Sequence, residues 1–374
     1  MNENRTVFDP PRRTLMGPGP SNVSARVLLA MGRPTIGHLD PEFLKLMDRI
    51  ADQLRAVFGT SNELTIPISG TGSAGMETAF VNMLEPGDDV IIGVNGVFGR
   101  RMMDVAGRIG ARVVSVEAEW GEPVDIGRLI DAHRANPRAR LLAVVQAETS
   151  TGVLQPLDEI GRYLKDTDTL FLVDTVTSLG GVPVDVDARG IDVAYSGTQK
   201  CLSVPPGLAP ITLSERASER LRSREEKVQS WYLDLSMISA YWGGERAYHH
   251  TAPINALYGL QEGLNSILEE GLETRFARHR NLGGLLQKEL EERGLELLVA
   301  EPYRLPQLTS VRIPAGVDDK SFRRSLLERY GIEIGGGLGP LAGKIWRVGL
   351  MGETCREETV VLFLGALDAL LGGQ

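Results

Sequence analysis

Leu170-Phe171-Leu172-Val173-Asp174 and, further along, Asp192-Val193-Ala194-Tyr195-Ser196-Gly197-Thr198-Gln199-Lys200-Cys201-Leu202-Ser203 decide how this chain is read. The first run is apolar at consecutive positions and ends in an acid, the pattern of a strand covered on both faces. In the second, Val193 to Ser196 reads as a buried strand end, and Gly197, Thr198 and Gln199 as the turn that leaves it. A lysine placed there is hard to explain as a solvated surface charge. Cys201-Leu202 and the Pro205-Pro206-Gly207 turn beyond it are equally unlike a solvent-facing loop. The gap between Asp174 and Lys200 leaves room for one further strand, so the two side chains can face a common point.

The same texture extends outward. Strands are read at Leu64 to Ile68, Val90 to Val94, Arg112 to Val116, Leu141 to Val145, Leu170 to Asp174, Val193 to Ser196 and Pro210 to Thr212. Helices fit Gly75 to Leu84, Gly99 to Ile109, Ile126 to Ala135 and Leu157 to Tyr163. Alternation of this kind predicts an α/β domain on a mostly parallel sheet of seven strands. Ligands of such sheets collect at strand carboxyl ends, where Gly70, Asp174 and Lys200 all fall. After Trp231 the pattern changes. A long helical stretch, Asn255 to Arg293, carries glycines able to break it. Then Leu308 to Ile313, Ser321 to Tyr330, Glu333 to Gly335, Ile345 to Gly349 and Glu357 to Leu371 give a small α/β unit. The expected division is an arm over 1–22, a large domain over 23–255 and a small C-terminal domain over 256–374, opened by a linking helix.

Composition narrows the function. A chain of 374 residues with 42% hydrophobic and 24% charged residues can bury a large core. Its net charge of −9 argues against a nucleic-acid surface. Cys201 and Cys355 are the only cysteines, without metal-ligand spacing or a disulfide framework, which favours the cytoplasm. No apolar run approaches a membrane span. Met1 to Arg13 is polar and carries no apolar signal core, reading as an ordered arm or a frayed tail. The adjacent His249 and His250 lack helical metal-site spacing, so no metal is expected.

Ser69-Gly70-Thr71-Gly72-Ser73-Ala74-Gly75 lies between a strand and a helix. Glycines let backbone approach an anion, and a helix N-terminus offers free N–H groups and a favourable dipole. The same residues also read as a polar N-cap loop. Gly70, Gly72 and Gly75 fit the dinucleotide pattern too, but the following strand ends at Asn95 rather than at an acid. Asp174 alone reads equally as a turn or cap residue, and Lys200 alone as a loop lysine. Arg347, within Lys344-Ile345-Trp346-Arg347-Val348-Gly349, is either a carboxylate clamp or an edge-strand arginine facing water. Phe98 reads as a stacking ring or as core, and His38 as a pocket residue or an ordinary loop histidine. Together, an amine, a carboxylate closing an apolar strand and a phosphate cradle are what a pyridoxal phosphate site requires.

These residues resemble the class V aminotransferases of fold type I, and within them the alanine/serine–glyoxylate group. The likeness runs from Gly17-Pro18-Gly19-Pro20-Ser21-Asn22 to the C-terminal helix. It rests on Glu148-Thr149-Ser150-Thr151-Gly152, Asp174 with Ser178-Leu179-Gly180-Gly181, Ser196-Gly197-Thr198-Gln199-Lys200 and Tyr248-His249-His250-Thr251. The resemblance implies a pyridoxal phosphate enzyme that takes the amino group of alanine or serine to glyoxylate, giving glycine, by a ping-pong course. By it, Lys200 carries the cofactor and Asp174 faces its pyridine nitrogen. Thr149 meets the ring hydroxyl, while Val176 and Phe98 cover the two ring faces. Thr71, Gly72, Ser73 and Gln199 belong to the phosphate site. Tyr248 and Thr251 reach the phosphate of a neighbouring subunit, so a homodimer with shared sites is implied. Arg347 clamps the substrate carboxylate, with backbone near Gly19 beside it and His38 in the pocket.

Two positions depart from the family's habit: Phe98 where a larger aromatic is common, and Ser73 where a histidine is. Parts of the chain also resemble the ureidoglycine–glyoxylate branch, which tends to place amides where this chain has His38 and Tyr248. Those two residues match a ureido group less well than amides do. A desulfurase would need a nucleophilic cysteine on a mobile loop, and neither Cys201 nor Cys355 suits. A non-catalytic phosphate-ligand binding protein, or a nucleotide-dependent oxidoreductase, is the reading from outside this cofactor class.

Overall fold

The structure is a computed structural model that describes residues 7–372, so the first six residues of the expected arm and the last two of the chain lie outside the described residues. Seven strands build the large sheet: β1 (Leu64–Ser69), β2 (Asp89–Val94), β3 (Arg112–Glu117), β4 (Leu141–Val145), β5 (Leu170–Asp174), β6 (Val193–Tyr195) and β7 (Leu208–Leu213). Their spatial order is β1-β7-β6-β5-β4-β2-β3. β7 runs antiparallel to both its neighbours, and the other adjacent pairs are parallel. The reversal has a local cause. Between β6 and β7 the chain forms no crossover helix, only the lysine-bearing loop and the Pro205-Pro206-Gly207 turn, and a parallel return needs a longer crossover.

Burial on both faces explains the consecutive apolar residues. Leu142, Val144, Phe171 and Val173 enter one core layer, while Leu141, Ala143, Val145, Leu170 and Leu172 enter the other. The strands stand where the sequence places them, with ends moved by a residue or two. β7 is longer than expected, running from Leu208 to Leu213. The helices of the turn and of Phe98 start earlier than read, at Gly72 and Val97. The long stretch after Asn255 is two helices, Ile254–Glu270 and Leu272–Glu292, parted at Gly271. Four helices were not expected: Ala25–Met31, Pro41–Phe58, Glu215–Arg222 and Leu235–Trp242.

A three-stranded sheet forms the small unit, with Ile345–Gly349 between Leu308–Arg312 and Gly335–Gly336. Its own core includes Phe322 stacked on Trp346, ring centres 4.1 Å apart. The N-terminal arm joins this unit first. Thr14–Leu15 pairs in parallel with Ile332–Glu333, and Gly349 N donates to Met16 O at 2.7 Å. From there the arm passes over the carboxyl end of β6. No helix among the described residues is long and apolar enough to cross a membrane.

Candidate active site

Lys200 follows the turn out of β6 and is 8% exposed. Its amine donates to Pro18 O on the arm. Gly19 lies against it, and a Cβ there would stand 2.6 Å from Nζ. The φ of +99° at Gly19 is a second reason why only glycine fits. Ser21 ties the arm to the same loop, through N to Gln199 O at 2.8 Å and Oγ to Lys200 O at 2.7 Å. Burial pulls the Lys200 amine down to about 8, with the positive charge of Arg347 acting the same way.

Asp174 ends β5 and pairs in register with Tyr195 of β6. One carboxylate oxygen accepts from Val176 N at 2.8 Å, which is the turn role open to any aspartate. The other accepts from the Tyr195 hydroxyl at 2.8 Å. Burial raises this carboxyl to about 6, against the lowering effect of those two donors. The turn Gly70–Gly72 closes the same end of the sheet. A Cβ on Gly72 would meet Val176 Cγ2 at 3.3 Å and Gly197 Cα at 3.6 Å. The phosphate-cradle candidate is therefore packed directly on the Asp174 turn and the lysine loop. Thr71 precedes the helix Gly72–Met83 without a side-chain capping bond, so the first N–H groups are not taken by it. Thr71 and Ser73 are exposed, and Ser73 Oγ accepts from Arg101 at 3.2 Å. The Gln199 side-chain oxygen is buried without a partner.

Phe98 opens the helix Val97–Ile109 and is half-buried, with the Arg101 guanidinium 4.9 Å from its ring centre. What fixes it is Glu148, a fully buried residue that sequence reasoning did not single out. Its carboxylate accepts from Phe98 N at 3.1 Å, Gly99 N at 3.4 Å, Ser150 N at 3.0 Å and Ser150 Oγ at 2.6 Å. Burial pushes this carboxyl up. Each of these four partners is a donor, so the ionised form is the one the geometry accommodates. Thr149, next to it, is buried, and its carbonyl accepts from Arg347 Nη1 at 3.0 Å.

Arg347 is not an edge residue. It lies on the central strand of the small sheet, is 6% exposed, and also donates Nε to Gly336 O at 2.8 Å. Its Nη2 has no hydrogen-bond partner among the described residues. Burial lowers the guanidinium to about 10. Tyr248 and Thr251 stand apart, both exposed, with their hydroxyls 3.5 Å from each other. The His38 ring is 5.2 Å from the Tyr248 ring. No hydrogen bond or ring contact among the described residues joins these three to Lys200 or Asp174. Their segment does touch the end of β1, where His250 Nε2 and Ser69 Oγ are 2.7 Å apart. Both cysteines are buried, and burial pushes the Cys201 thiol up to about 12 and Cys355 to about 11. Neither is a nucleophile at neutral pH.

Tyr195 and Glu148 were thus missed as site residues. The signal for Tyr195 was a hydroxyl in an otherwise apolar strand paired with the one that ends in Asp174. Glu148 opened a motif that carried the resemblance, but nothing there gave it a role, because Phe98 N and Gly99 N reach it from a helix start distant in sequence.

The family model described as Aminotransferase class-V matches residues 24–357. An alanine–glyoxylate aminotransferase structure from Nostoc sp. is 51% identical, with a TM-score of 0.95 over 99% of each chain. The (S)-ureidoglycine–glyoxylate transaminase of Bacillus subtilis is 42% identical over 96% of this chain and 91% of its own length. The alanine–glyoxylate aminotransferase of Drosophila melanogaster is 42% identical over 96% of this chain and 92% of its own.

Proposed function

The chain belongs to the class-V aminotransferase family, and from that premise we propose that it is a pyridoxal phosphate enzyme moving the amino group of alanine or serine to glyoxylate. Bound there, pyridoxal phosphate supplies an aldehyde for the amino group and an electron-accepting ring. The residues fit such a group. The helix start at Gly72, whose first N–H groups no side chain caps, would meet the phosphate, and Gln199 would reach it through its amide NH2, a donor. Thr71 and Ser73 add hydroxyls there. Val176, Phe98 and Thr149 border the ring position, and Asp174 would hold a proton on the ring nitrogen.

The observation that carries the reading is a lysine at a strand end, 8% exposed and roofed by Pro18 and Gly19, whose amine burial and the nearby Arg347 together lower to about 8. A lysine so placed can take the α-proton of a donor on Nζ and return it to a neighbouring carbon. Arg347 would orient the donor through its carboxylate, using the Nη2 left over from Thr149 O and Gly336 O. Both substrates carry that carboxylate, so one clamp serves both half-reactions. Gly19 and Pro18 roof the amine and limit water around it. We place Tyr248 and Thr251 at a second subunit's phosphate site, because one chain leaves them exposed and unused. Sedimentation at micromolar concentration should then show a dimer; a fully loaded monomer would contradict this.

An amino-donor panel with glyoxylate and pyruvate as acceptors tests the function. Turnover of alanine or serine with glyoxylate is expected. Similarity to the Bacillus subtilis protein supports a second reading, in which ureidoglycine is the donor. Consumption of ureidoglycine alone would favour it, and silence with every donor would defeat both.

A further inference from the structure

The linking helix Leu272–Glu292 sends one side chain into the large domain beneath the lysine. Arg275 is 5% exposed. Its Nη2 donates to Cys201 O at 2.6 Å and its Nε to Gly180 O at 2.9 Å. Its Nη1 pairs with Glu270 at 2.7 Å. Cys201 follows Lys200 directly, so the carbonyl held belongs to the next residue. Ser21 already holds the carbonyls of Gln199 and Lys200. Three consecutive carbonyls of the lysine loop are thus bound by groups from outside the sheet. A guanidinium suits two carbonyls at fixed spacing because its donors form a rigid planar fork.

The surrounding residues keep Arg275 in place. Glu270 also accepts from Arg278 Nε at 2.7 Å, and Arg278 donates onward to Gly352 O at 3.0 Å. His279, fully buried, meets Arg275 O through Nδ1 at 2.8 Å and accepts from Gly352 N through Nε2 at 3.0 Å. Arg275 and Arg278 therefore share one carboxylate: Arg275 donates directly to the carbonyls of Gly180 and Cys201, while Arg278 holds the carbonyls of Gly352 and Cys355, in a segment that packs on the lysine loop at Ser203.

We propose that Arg275 is a positioning residue for Lys200, setting where the amine stands by fastening the carbonyls of Cys201 and Gly180. The proposal rests on the reading of Lys200 as the residue that carries the cofactor. Without the fork, two buried carbonyls lose their partners and the loop drifts. A drift of about 1 Å at a reacting group costs about 100-fold in rate.

Arg275→Met and Arg275→Lys are compared with Arg278→Met, which breaks the same carboxylate pair without touching the loop. Two readouts are used: the alanine half-reaction of the holoenzyme, and the pH midpoint of Lys200 methylation by formaldehyde and cyanoborohydride in cofactor-free protein. Arg347, Asp174, Glu148 and Cys201, the charged and titratable groups acting on Lys200, are unchanged in all three. Arg275→Met should lower the half-reaction rate by about 10- to 100-fold with KM within about 3-fold. Its methylation midpoint should move up towards the ordinary lysine value as water reaches the amine. Arg275→Lys, which keeps the charge but loses the planar fork, should recover part of both and serves alone should the methionine variant not fold. Arg278→Met, which gives the loop no hydrogen bond of its own, should lose thermal stability and change both readouts less than Arg275→Met does. Unchanged readouts in the Arg275 variants, or equal changes in Arg278→Met, would overturn the proposal. A wild-type holoenzyme whose cofactor is found on another lysine would instead overturn the underlying assignment.

Discussion

Replacing Arg347 by methionine tests the proposed carboxylate clamp. The guanidinium is 6% exposed and gives two N–H groups to Gly336 O and Thr149 O. On the proposed reading, what remains is left for the substrate carboxylate. Removing one partner of a buried, hydrogen-bonded charge pair costs about 2–5 kcal/mol. At about 1.36 kcal/mol per decade, kcat/KM for alanine should fall by roughly 30- to 5,000-fold. Some of that loss would come from the two carbonyls left unpaired, so the assay needs an internal control. Ethylamine is alanine without its carboxylate. Its slow half-reaction, followed by single-turnover absorbance, should change by less than about 3-fold, whereas alanine loses the full factor. Arg347→Lys keeps the charge and loses the fork, and should fall between. An equal loss for both amines would show that Arg347 supports the fold of the site and does not hold the substrate.

Three further outcomes follow from the buried charges. Tyr195→Phe removes a hydrogen bond to ionised Asp174, worth about 1.5–3 kcal/mol, and should raise that carboxyl by about 1–2 units from about 6. A raised acid makes the fold bind protons more tightly than the unfolded chain does, so stability falls as pH climbs from the unfolded value through the folded one. Urea unfolding of cofactor-free Tyr195→Phe should accordingly show its extra loss at pH 8 and little at pH 5; equal losses would contradict this. Lys200 has the opposite shift, and its burial costs stability below pH 8, fading between about 8 and 10.5. Cofactor-free Lys200→Met should be more stable at pH 7 by up to roughly 3 kcal/mol, with the gain gone near pH 10.5; a gain independent of pH would point to packing alone. Glu148→Gln turns an NH2 towards donors and should cost about 2–4 kcal/mol in urea unfolding; an unchanged midpoint would mean Glu148 is already protonated.

The sheet was legible because strands buried on both faces must be apolar throughout, as Leu141 to Val145 and Leu170 to Asp174 are. The helix Pro41–Phe58 was passed over despite clear marks. Asp40 caps it with a bond to Glu42 N, Pro41 starts it and Gly59 ends it in a left-handed conformation. Lys200, Asp174 and the Gly70 turn were readable because each sits at a strand end. Arg347 was ambiguous: a strand of five residues does not say whether it is central or at an edge. Only the pairing with Leu308–Arg312 and Gly335–Gly336 decides that. Glu148 and Arg275 were hidden for another reason. Some of their partners, Phe98 N and Gly99 N for Glu148 and the carbonyls of Gly180 and Cys201 for Arg275, are backbone groups far away in sequence, and backbone carries no sequence signal.

The claim beneath all of this is that the amine at position 200 is where the cofactor attaches. Borohydride reduction of the purified holoenzyme, followed by peptide mass spectrometry, tests it directly. A pyridoxyl group fixed on Lys200, with loss of visible absorbance, is the expected result. A reduced protein with no such group, or with the group on Lys45, Lys165, Lys227, Lys288, Lys320 or Lys344, would contradict it.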